Sequence, residues 1–191
     1  RGHGASPWSA DAVHSMDLLA NDLVALADAV EVESFDLVGL SMGGYVALAL
    51  AAAEPSRVRT LALLDTKAGP DTDEGKAARD ETAAAVVREG RGWLFDKLSG
   101  VLLAEGATDL VRGRLRTIVE SQSYETIVAD LAGMRDRPDR TELLRSLSMP
   151  AAVVVGAEDA LTPPEVHEEM AGLLPDAELT VVDDAGHMTP M

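Results

Sequence analysis

One serine in this sequence lies in a setting that favours a nucleophile. Ser41 occurs in the run Gly39-Leu40-Ser41-Met42-Gly43-Gly44, which follows an apolar segment typical of a buried strand and precedes one typical of a helix. A serine in so sharp a turn needs neighbours without a Cβ, so that strand and helix can pack closely. Its hydroxyl would lie at the positive end of the helix, where the Met42 backbone N–H can act as an oxyanion donor when a carbonyl is attacked.

An aspartate and a histidine further along the chain can complete this chemistry. Asp159 and His187 each follow a short apolar run typical of a strand, as Ser41 does. Ligands of open parallel sheets bind beyond the carboxyl ends of the strands, so we expect the three side chains at one edge. The imidazole would take the Ser41 proton and return it to the leaving group, and the carboxylate would fix the imidazole tautomer. Asp65, at the end of another predicted strand, is an alternative position for the acid.

The elements that must position these residues are predicted from hydrophobic periodicity. Four apolar runs predict parallel strands, at residues 35–38, 58–64, 151–155 and 179–182. The runs are continuous rather than alternating, which indicates strands buried on both faces. Helices are predicted over residues 10–30, capped by Ser9, and from about residue 163 to 174. We expect His14 and His167, which lie in these two helices, on the solvent side.

Residues 66–149 show helical periodicity with no convincing strand. The predicted organisation is therefore an α/β core made of residues 1–65 and 150–191, with a helical lid, residues 66–149, inserted between two of its strands. Thr72, Thr108 and Ser123 are predicted N-caps in this insertion. Three large side chains of the lid are candidates for the substrate pocket, with packing against the sheet as the alternative for each: Trp93, Phe95 and Met134.

These motifs resemble those of bacterial α/β-hydrolases, in the branch around oxoadipate enol-lactonases, simple carboxylesterases and cofactor-free haloperoxidases. The resemblance covers the whole chain and rests on four segments, residues 1–6, 39–44, 156–159 and 185–188. It implies an α/β-hydrolase fold without cofactor or metal, with Ser41 as nucleophile, Asp159 as acid and His187 as base. A serine at position 41 argues against epoxide hydrolases and haloalkane dehalogenases, which use aspartate there.

The same resemblance sets an expectation about the missing parts of the fold. The chain is similar to the C-terminal three-quarters of an α/β-hydrolase, so the first strands, the His-Gly loop that gives the second oxyanion donor and the last helix would be absent. We therefore expect the N-terminal segment of the same fold to act as a partner of this chain.

Composition excludes several other classes. The chain has 16 basic and 33 acidic residues, and its net charge of −17 would repel nucleic acids and anionic lipid surfaces. Its lack of cysteines excludes disulfides, cysteine-ligated zinc and thiol catalysis. The longest apolar run, residues 45–53, is far shorter than the ~20 residues of a spanning helix. We expect a cytoplasmic protein with no nucleic-acid or membrane partner.

The function that fits these features is a serine hydrolase that cleaves a small carboxylic ester or lactone through an acyl-enzyme intermediate. A carbon–carbon bond hydrolase or a perhydrolase would use the same three residues. A ligand-sensing protein that keeps the fold and triad with little turnover is the alternative from another class, and an inactive relic is a third. The enzyme and the sensor both need Ser41, and turnover number separates them.

Overall fold

Four parallel strands form the sheet at the centre of this protein, in the order in which they occur in the chain. The structure is a computed structural model that describes residues 1–191. The strands are β1 (Phe35–Leu40), β2 (Val58–Leu64), β3 (Ala151–Gly156) and β4 (Ala177–Val182). All four strand predictions are confirmed, although β1 runs two residues further than expected and β4 begins two residues earlier.

Eight helices accompany the sheet. They are α1 (Met16–Ala29), α2 (Met42–Ala53), α3 (Asp73–Glu89), α4 (Arg91–Leu102), α5 (Asp109–Ser121), α6 (Tyr124–Arg135), α7 (Thr141–Leu144) and α8 (Pro164–Leu173). A short 3₁₀ turn, Pro55–Arg57, leads into β2. None of the helices is both long and apolar enough to cross a membrane.

The core lies on one face of the sheet. Each strand is added on the same side of the previous one, and right-handed crossovers then place the connecting helices on a common face. The main core accordingly joins residues of α1, α2 and α8 to the strands, with α2 buried along most of its length. The expectation that the strands are buried on both faces is wrong for this chain, because Val38 and Val181, on β1 and β4, are 66% and 44% exposed.

The first helix begins later than predicted. Ser15, not Ser9, is the N-cap of α1, and its hydroxyl accepts a hydrogen bond from the Leu18 N–H at 3.1 Å. The Ser9 hydroxyl instead donates to Asp11, and Ala10 has a φ of 59°, outside the helical region. Residues 10–15 are therefore an irregular segment, and the predicted cap at Ser9 is wrong.

The region between β2 and β3 is helical, as the sequence predicts. The side chains of Thr72, Thr108 and Ser123 accept backbone N–H groups at the starts of α3, α5 and α6, as expected of N-caps. Part of this region has a hydrophobic cluster of its own, which we call the second cluster: Val86, Leu94, Leu103, Leu115 and Val119. It is built from α3, α4 and α5 and is distinct from the main core.

The ends of α3 and α6 are tied to the core by a buried ion pair. Arg137, just beyond α6, donates to Asp71, just before α3, at 2.9 Å, and its guanidinium lies 4.1 Å from the ring centre of Tyr45 in α2. Burial alone would raise the pKa of Asp71, but hydrogen bonds from Arg79 and Arg137 outweigh burial and hold that pKa far below its usual range. Asp71 is therefore ionised where α3 begins.

Candidate active site

Ser41 occupies a strained turn between β1 and α2. Its φ of 52° and ψ of −115° are unusual for a residue with a side chain. Three hydrogen bonds hold its backbone there: its N–H donates to the Leu64 carbonyl at 2.9 Å, and its carbonyl accepts from the Gly44 N–H at 2.9 Å and from Thr66 Oγ1 at 2.8 Å. The end of β2, the segment just beyond it and the first turn of α2 therefore fix the conformation of the turn together.

Two of the three glycines around Ser41 are required by space. A Cβ on Gly39 would lie 2.5 Å from the Gly43 carbonyl oxygen, and one on Gly44 would lie 2.6 Å from the Cβ of Thr66. A Cβ on Gly43 would meet no atom within 4 Å. Close packing of strand, turn and helix thus depends on Gly39 and Gly44, which the sequence pattern does not separate from Gly43.

The hydroxyl of Ser41 faces a histidine. Ser41 is the N-cap of α2, yet its side chain makes no capping hydrogen bond. Its Oγ lies 2.7 Å from Nε2 of His187, while Nδ1 of the same ring lies 2.9 Å and 3.0 Å from the two carboxylate oxygens of Asp159. A carboxylate only accepts, so Nδ1 carries the proton and Nε2 offers its lone pair to the Ser41 hydroxyl. The structure brings Ser41, Asp159 and His187 together in one hydrogen-bonded line.

Asp159 is held by three further donors from its own loop. The Leu161 and Thr162 N–H groups donate to Oδ1 at 2.9 Å and 3.0 Å, and the Thr162 hydroxyl donates to Oδ2 at 2.7 Å. Burial alone would raise the pKa of Asp159, but the hydrogen bonds from His187 and Thr162 outweigh it and leave the pKa below its ordinary value. The carboxylate is therefore ionised and fixed in orientation at neutral pH.

The alternative acid, Asp65, does not hydrogen-bond to His187. It is fully buried at the end of β2, where Oδ1 accepts the Gly156 N–H at 3.1 Å and Oδ2 accepts the N–H and hydroxyl of Thr189 at 3.0 Å and 2.6 Å. The His187 ring is turned to Asp159 instead. The geometry of the site favours position 159 for the acid.

The predicted oxyanion donor lies beside the nucleophile. Met42 is the first residue of α2. Backbone N–H groups in the first turn of a helix have no partner four residues earlier in that helix, and they lie at its positive end. The Met42 N–H is thus placed next to Ser41 and near any negative charge that forms there.

The three pocket candidates do not form one group. Trp93 and Phe95 pack against the second cluster and carry cations over their rings, Lys97 at 5.1 Å and Arg116 at 4.8 Å from the respective ring centres. Met134 packs against the main core, with its sulfur 3.3 Å from the Arg79 guanidinium.

A cavity of about 450 Å³ lies between the loop after α4 and the loop that carries His187. Gly186 and Met188, on either side of His187, line it, together with Leu103 and Val111. None of Trp93, Phe95 and Met134 is among its lining residues.

Two histidines expected on the surface are buried instead. Nε2 of His167, in α8, accepts the Thr66 N–H at 2.9 Å, so this ring is neutral, and burial lowers its pKa. The burial of His167 could have been predicted from the sequence, since His167, Met170 and Leu174 have the spacing of one helix face. All three are buried.

His14 is also fully buried, and its Nδ1 lies 2.7 Å from Oδ1 of Asp130 in α6. Nε2 of His3 lies 2.8 Å from the other oxygen of Asp130, which raises the pKa of His3 against the opposing effect of burial. No local sequence pattern predicts this pairing, because the two residues are 116 positions apart. His3, His14 and Asp130 together join the N-terminal loop to α6.

No group of three or more histidine, aspartate and glutamate side chains is arranged to hold a metal ion. The polar groups of the site are instead those of a serine, a histidine and a carboxylate hydrogen-bonded in sequence.

Comparison with known proteins places this site in a family. The model of the family described as alpha/beta hydrolase fold matches residues 1–191, the whole chain. The chain belongs to this family. The observed parallel sheet with helices, and the resemblance noted in the sequence, agree with that membership.

Among solved α/β-hydrolases, a malate-bound thermophilic esterase from Thermogutta terrifontis is 39% identical, with a TM-score of 0.95 over 100% of this chain and 71% of that chain. Among characterised sequences, a pimeloyl-acyl-carrier-protein methyl ester esterase from Neisseria meningitidis serogroup C is 29% identical over 97% of this chain and 73% of its own length. A 2-hydroxymuconate semialdehyde hydrolase from Pseudomonas sp. is 30% identical over 98% and 68%. These relatives support hydrolase activity for this chain.

Proposed function

We propose that this protein is a serine hydrolase that cleaves a small carboxylic ester or lactone through an acyl-enzyme intermediate. The observation that carries the proposal is the hydrogen-bonded line from Ser41 Oγ through His187 to Asp159. Esterases among the relatives support the ester class of substrate. The absence of a helix able to span a membrane is compatible with the cytoplasmic location that we propose.

In the proposed reaction, Ser41 Oγ attacks the substrate carbonyl while its proton passes to Nε2 of His187. The imidazolium that forms is stabilised by the ionised Asp159 carboxylate, whose pKa the hydrogen bonds from His187 and Thr162 keep low. His187 then gives the proton to the leaving alcohol as the acyl-enzyme forms. A water molecule repeats the cycle: His187 removes its proton, the acyl group is released as an acid, and Ser41 regains its hydroxyl.

The negative charge on the carbonyl oxygen is proposed to be stabilised by the Met42 N–H at the start of α2. One such donor typically contributes ~10²–10³ in kcat. The strained backbone of Ser41 supports a functional turn at this position, since such strain is concentrated at active sites.

Specificity is proposed to come from the helical region, residues 66–149, acting as a lid over the core. Trp93, Phe95 and Met134 are the first candidates for contacts with the acyl or alcohol part. The cavity beside His187 is the other candidate for the space that holds the substrate.

A carbon–carbon bond hydrolase is the second candidate function. It is favoured by the 30% identity to a 2-hydroxymuconate semialdehyde hydrolase. Both reactions begin with attack on a carbonyl, so they share the three proposed catalytic residues and differ in the group that leaves.

The experiment that tests the proposal is covalent labelling of the serine. A fluorophosphonate probe should label Ser41 and no other residue, because the Ser41 hydroxyl is the one that is hydrogen-bonded to Nε2 of His187. Ser41→Ala should abolish both the labelling and the hydrolysis of p-nitrophenyl acetate while leaving the fold unchanged. Labelling that persists in Ser41→Ala would overturn the assignment. Labelling of the parent protein with near-single turnover of every ester would instead identify a ligand sensor.

A further inference from the structure

Two consecutive residues beyond β2, Asp65 and Thr66, contact the segments that carry all three proposed catalytic residues. Thr66 Oγ1 donates to the Ser41 carbonyl at 2.8 Å. Asp65 accepts the N–H of Gly156, the last residue of β3 and three residues before Asp159. Asp65 also accepts the N–H and the hydroxyl of Thr189, two residues after His187. The three segments are otherwise far apart in sequence.

The hydrogen bonds of Asp65 explain how a carboxylate is accommodated there. Asp65 is fully buried, and its contacts are two backbone N–H groups and one hydroxyl, with no basic side chain among them. A buried acidic side chain is costly unless hydrogen bonds satisfy it, so this site requires all three donors to stay in place. The position of the Gly156 and Thr189 backbones is thereby coupled to one side chain.

The backbone of this dipeptide is also constrained. Asp65 has a φ of 46°, a left-handed conformation that persists only where the surroundings determine it. Its N–H donates to the Val154 carbonyl at 2.9 Å, and the Thr66 N–H donates to the buried Nε2 of His167 at 2.9 Å. Hydrogen bonds to both the sheet and α8 therefore hold the dipeptide in place, so that the loops that contact it are held in fixed positions as well.

We propose that Asp65 and Thr66 are positioning residues that hold Ser41, Asp159 and His187 in register. The inference rests on the proposed function and adds the residues that set its geometry. Neither residue touches the reacting atoms. Their loss allows the three catalytic segments to shift relative to one another, and a misplacement of about 1 Å can cost ~10² in rate. Substrate binding, which depends on other contacts, is left nearly unchanged.

The test compares three variants: Thr66→Val and Thr189→Val each remove one hydroxyl donor, and Asp65→Asn replaces one acceptor oxygen by an NH2 group. The matched control is Thr126→Val, since Thr126 is also fully buried and its hydroxyl also donates to a backbone carbonyl, that of Gly2, at 2.9 Å. We expect the three variants to lower kcat for p-nitrophenyl acetate, and the rate of fluorophosphonate labelling of Ser41, by about tenfold to a hundredfold, with KM within about twofold. The control should change kcat by less than about twofold.

Conservative variants separate hydrogen bonding from packing. Thr66→Ser and Thr189→Ser keep the hydroxyl and should recover most of the lost kcat. In the double variant Asp65→Asn with Thr189→Val, kcat should fall by less than the product of the two single reductions, because both changes act on the same contact between Asp65 and Thr189. If Asp65→Asn fails to fold, as a urea unfolding curve would show, the two threonine variants carry the test.

Two outcomes distinguish this inference from the proposed function. Losses no greater than that of Thr126→Val, in a protein whose labelling still disappears in Ser41→Ala, overturn the positioning role and leave the hydrolase assignment standing. Labelling and turnover that persist in Ser41→Ala overturn both.

Discussion

Gly44, in the first turn of α2, packs directly against the side chain of Thr66, two residues beyond β2. A Cβ at position 44 would lie 2.6 Å from both Cβ and Cγ2 of Thr66, closer than such atoms approach. The same threonine donates to the Ser41 carbonyl, so the contact that brings helix and strand together also fixes the turn between them. The glycine is required by the side chain opposite it.

This contact predicts a contrast among three alanine substitutions. Gly39→Ala and Gly44→Ala should each destabilise the protein by about 1–3 kcal/mol, the usual range for overpacking a core. Gly43→Ala should be neutral or stabilising by up to about 1 kcal/mol, because open space surrounds the new methyl and alanine favours a helix. Urea unfolding of the three variants measures the difference. A Gly43→Ala loss as large as that of Gly44→Ala would contradict the packing argument.

The acid can be assigned by comparing two asparagine variants. Asp159→Asn should lower kcat by ~10⁴, the value found for the same change in a serine protease triad, because an amide no longer selects the Nδ1–H tautomer of His187. Asp65→Asn should lower kcat by about tenfold to a hundredfold, as expected of a positioning residue. The comparison is made on kcat for p-nitrophenyl acetate. Reversed magnitudes would place the acid at position 65.

The pH dependence of stability should reveal the buried His167. Its pKa is lowered in the folded protein, so the unfolded chain binds more protons, and the folded state loses stability as the pH falls below about 6.5, the ordinary histidine value. His167→Gln can still accept the Thr66 N–H but does not titrate. Its free energy of unfolding, measured from pH 8 to pH 5, should fall less steeply than that of the parent.

The comparison uses the difference between the parent and His167→Gln stability curves, because His3 changes stability with pH in the opposite direction to His167. Its raised pKa adds stability below about pH 6.5 that is lost as the pH rises through the folded value. Both proteins keep His3, so its contribution cancels in the comparison. Parallel curves would mean that His167 does not supply the acid sensitivity.

Specificity should respond to the large side chains of the proposed lid. Alanine at Trp93, Phe95 or Met134 should shift the preference between short and long acyl esters by about tenfold to two-hundredfold, the range for lost methylene contacts. The control is Leu110→Ala, since Leu110 is 75% exposed on α5 and should leave the preference unchanged. The ratio of kcat/KM values across p-nitrophenyl esters is the measurement. An unchanged ratio in all three variants would direct attention to the cavity lined by Val111 and Met188.

The sequence was most informative where local rules act alone. The strand, turn and helix around Ser41 follow from glycine spacing and periodicity, and the caps at Thr72, Thr108 and Ser123 follow from side-chain chemistry. The long-range contacts do not follow from such rules. The pairing of His14 with Asp130 and the contacts of Asp65 depend on how distant segments meet.

The start of α1 shows a different limit. The helix was predicted to begin at residue 10 because Ser9 is a possible N-cap, but the hydroxyl of Ser9 hydrogen-bonds to Asp11 and Ala10 takes a positive φ, which leaves Ser15 as the cap. Local hydrogen bonds of serine and aspartate compete with helix, and periodicity does not detect that competition.

The helix α6 is buried against the N-terminal segment, and these contacts restrict how it can move. They separate α6, which packs on α3, from the pair formed by α4 and α5. The His14 N–H donates to the Ala129 carbonyl at 2.9 Å, and Gly133 lies so close to the His14 backbone that no side chain would fit between them. Arg137 locks the end of α6 to Asp71 and Tyr45. Displacing α6 must break these contacts together. Four of the five buried residues of the second cluster lie on α5, on α4 or directly after α4, so a joint displacement of these two helices would keep most of that cluster intact. The route by which a substrate enters or leaves is therefore expected to open beneath α4 and α5, with α3 and α6 as its fixed wall.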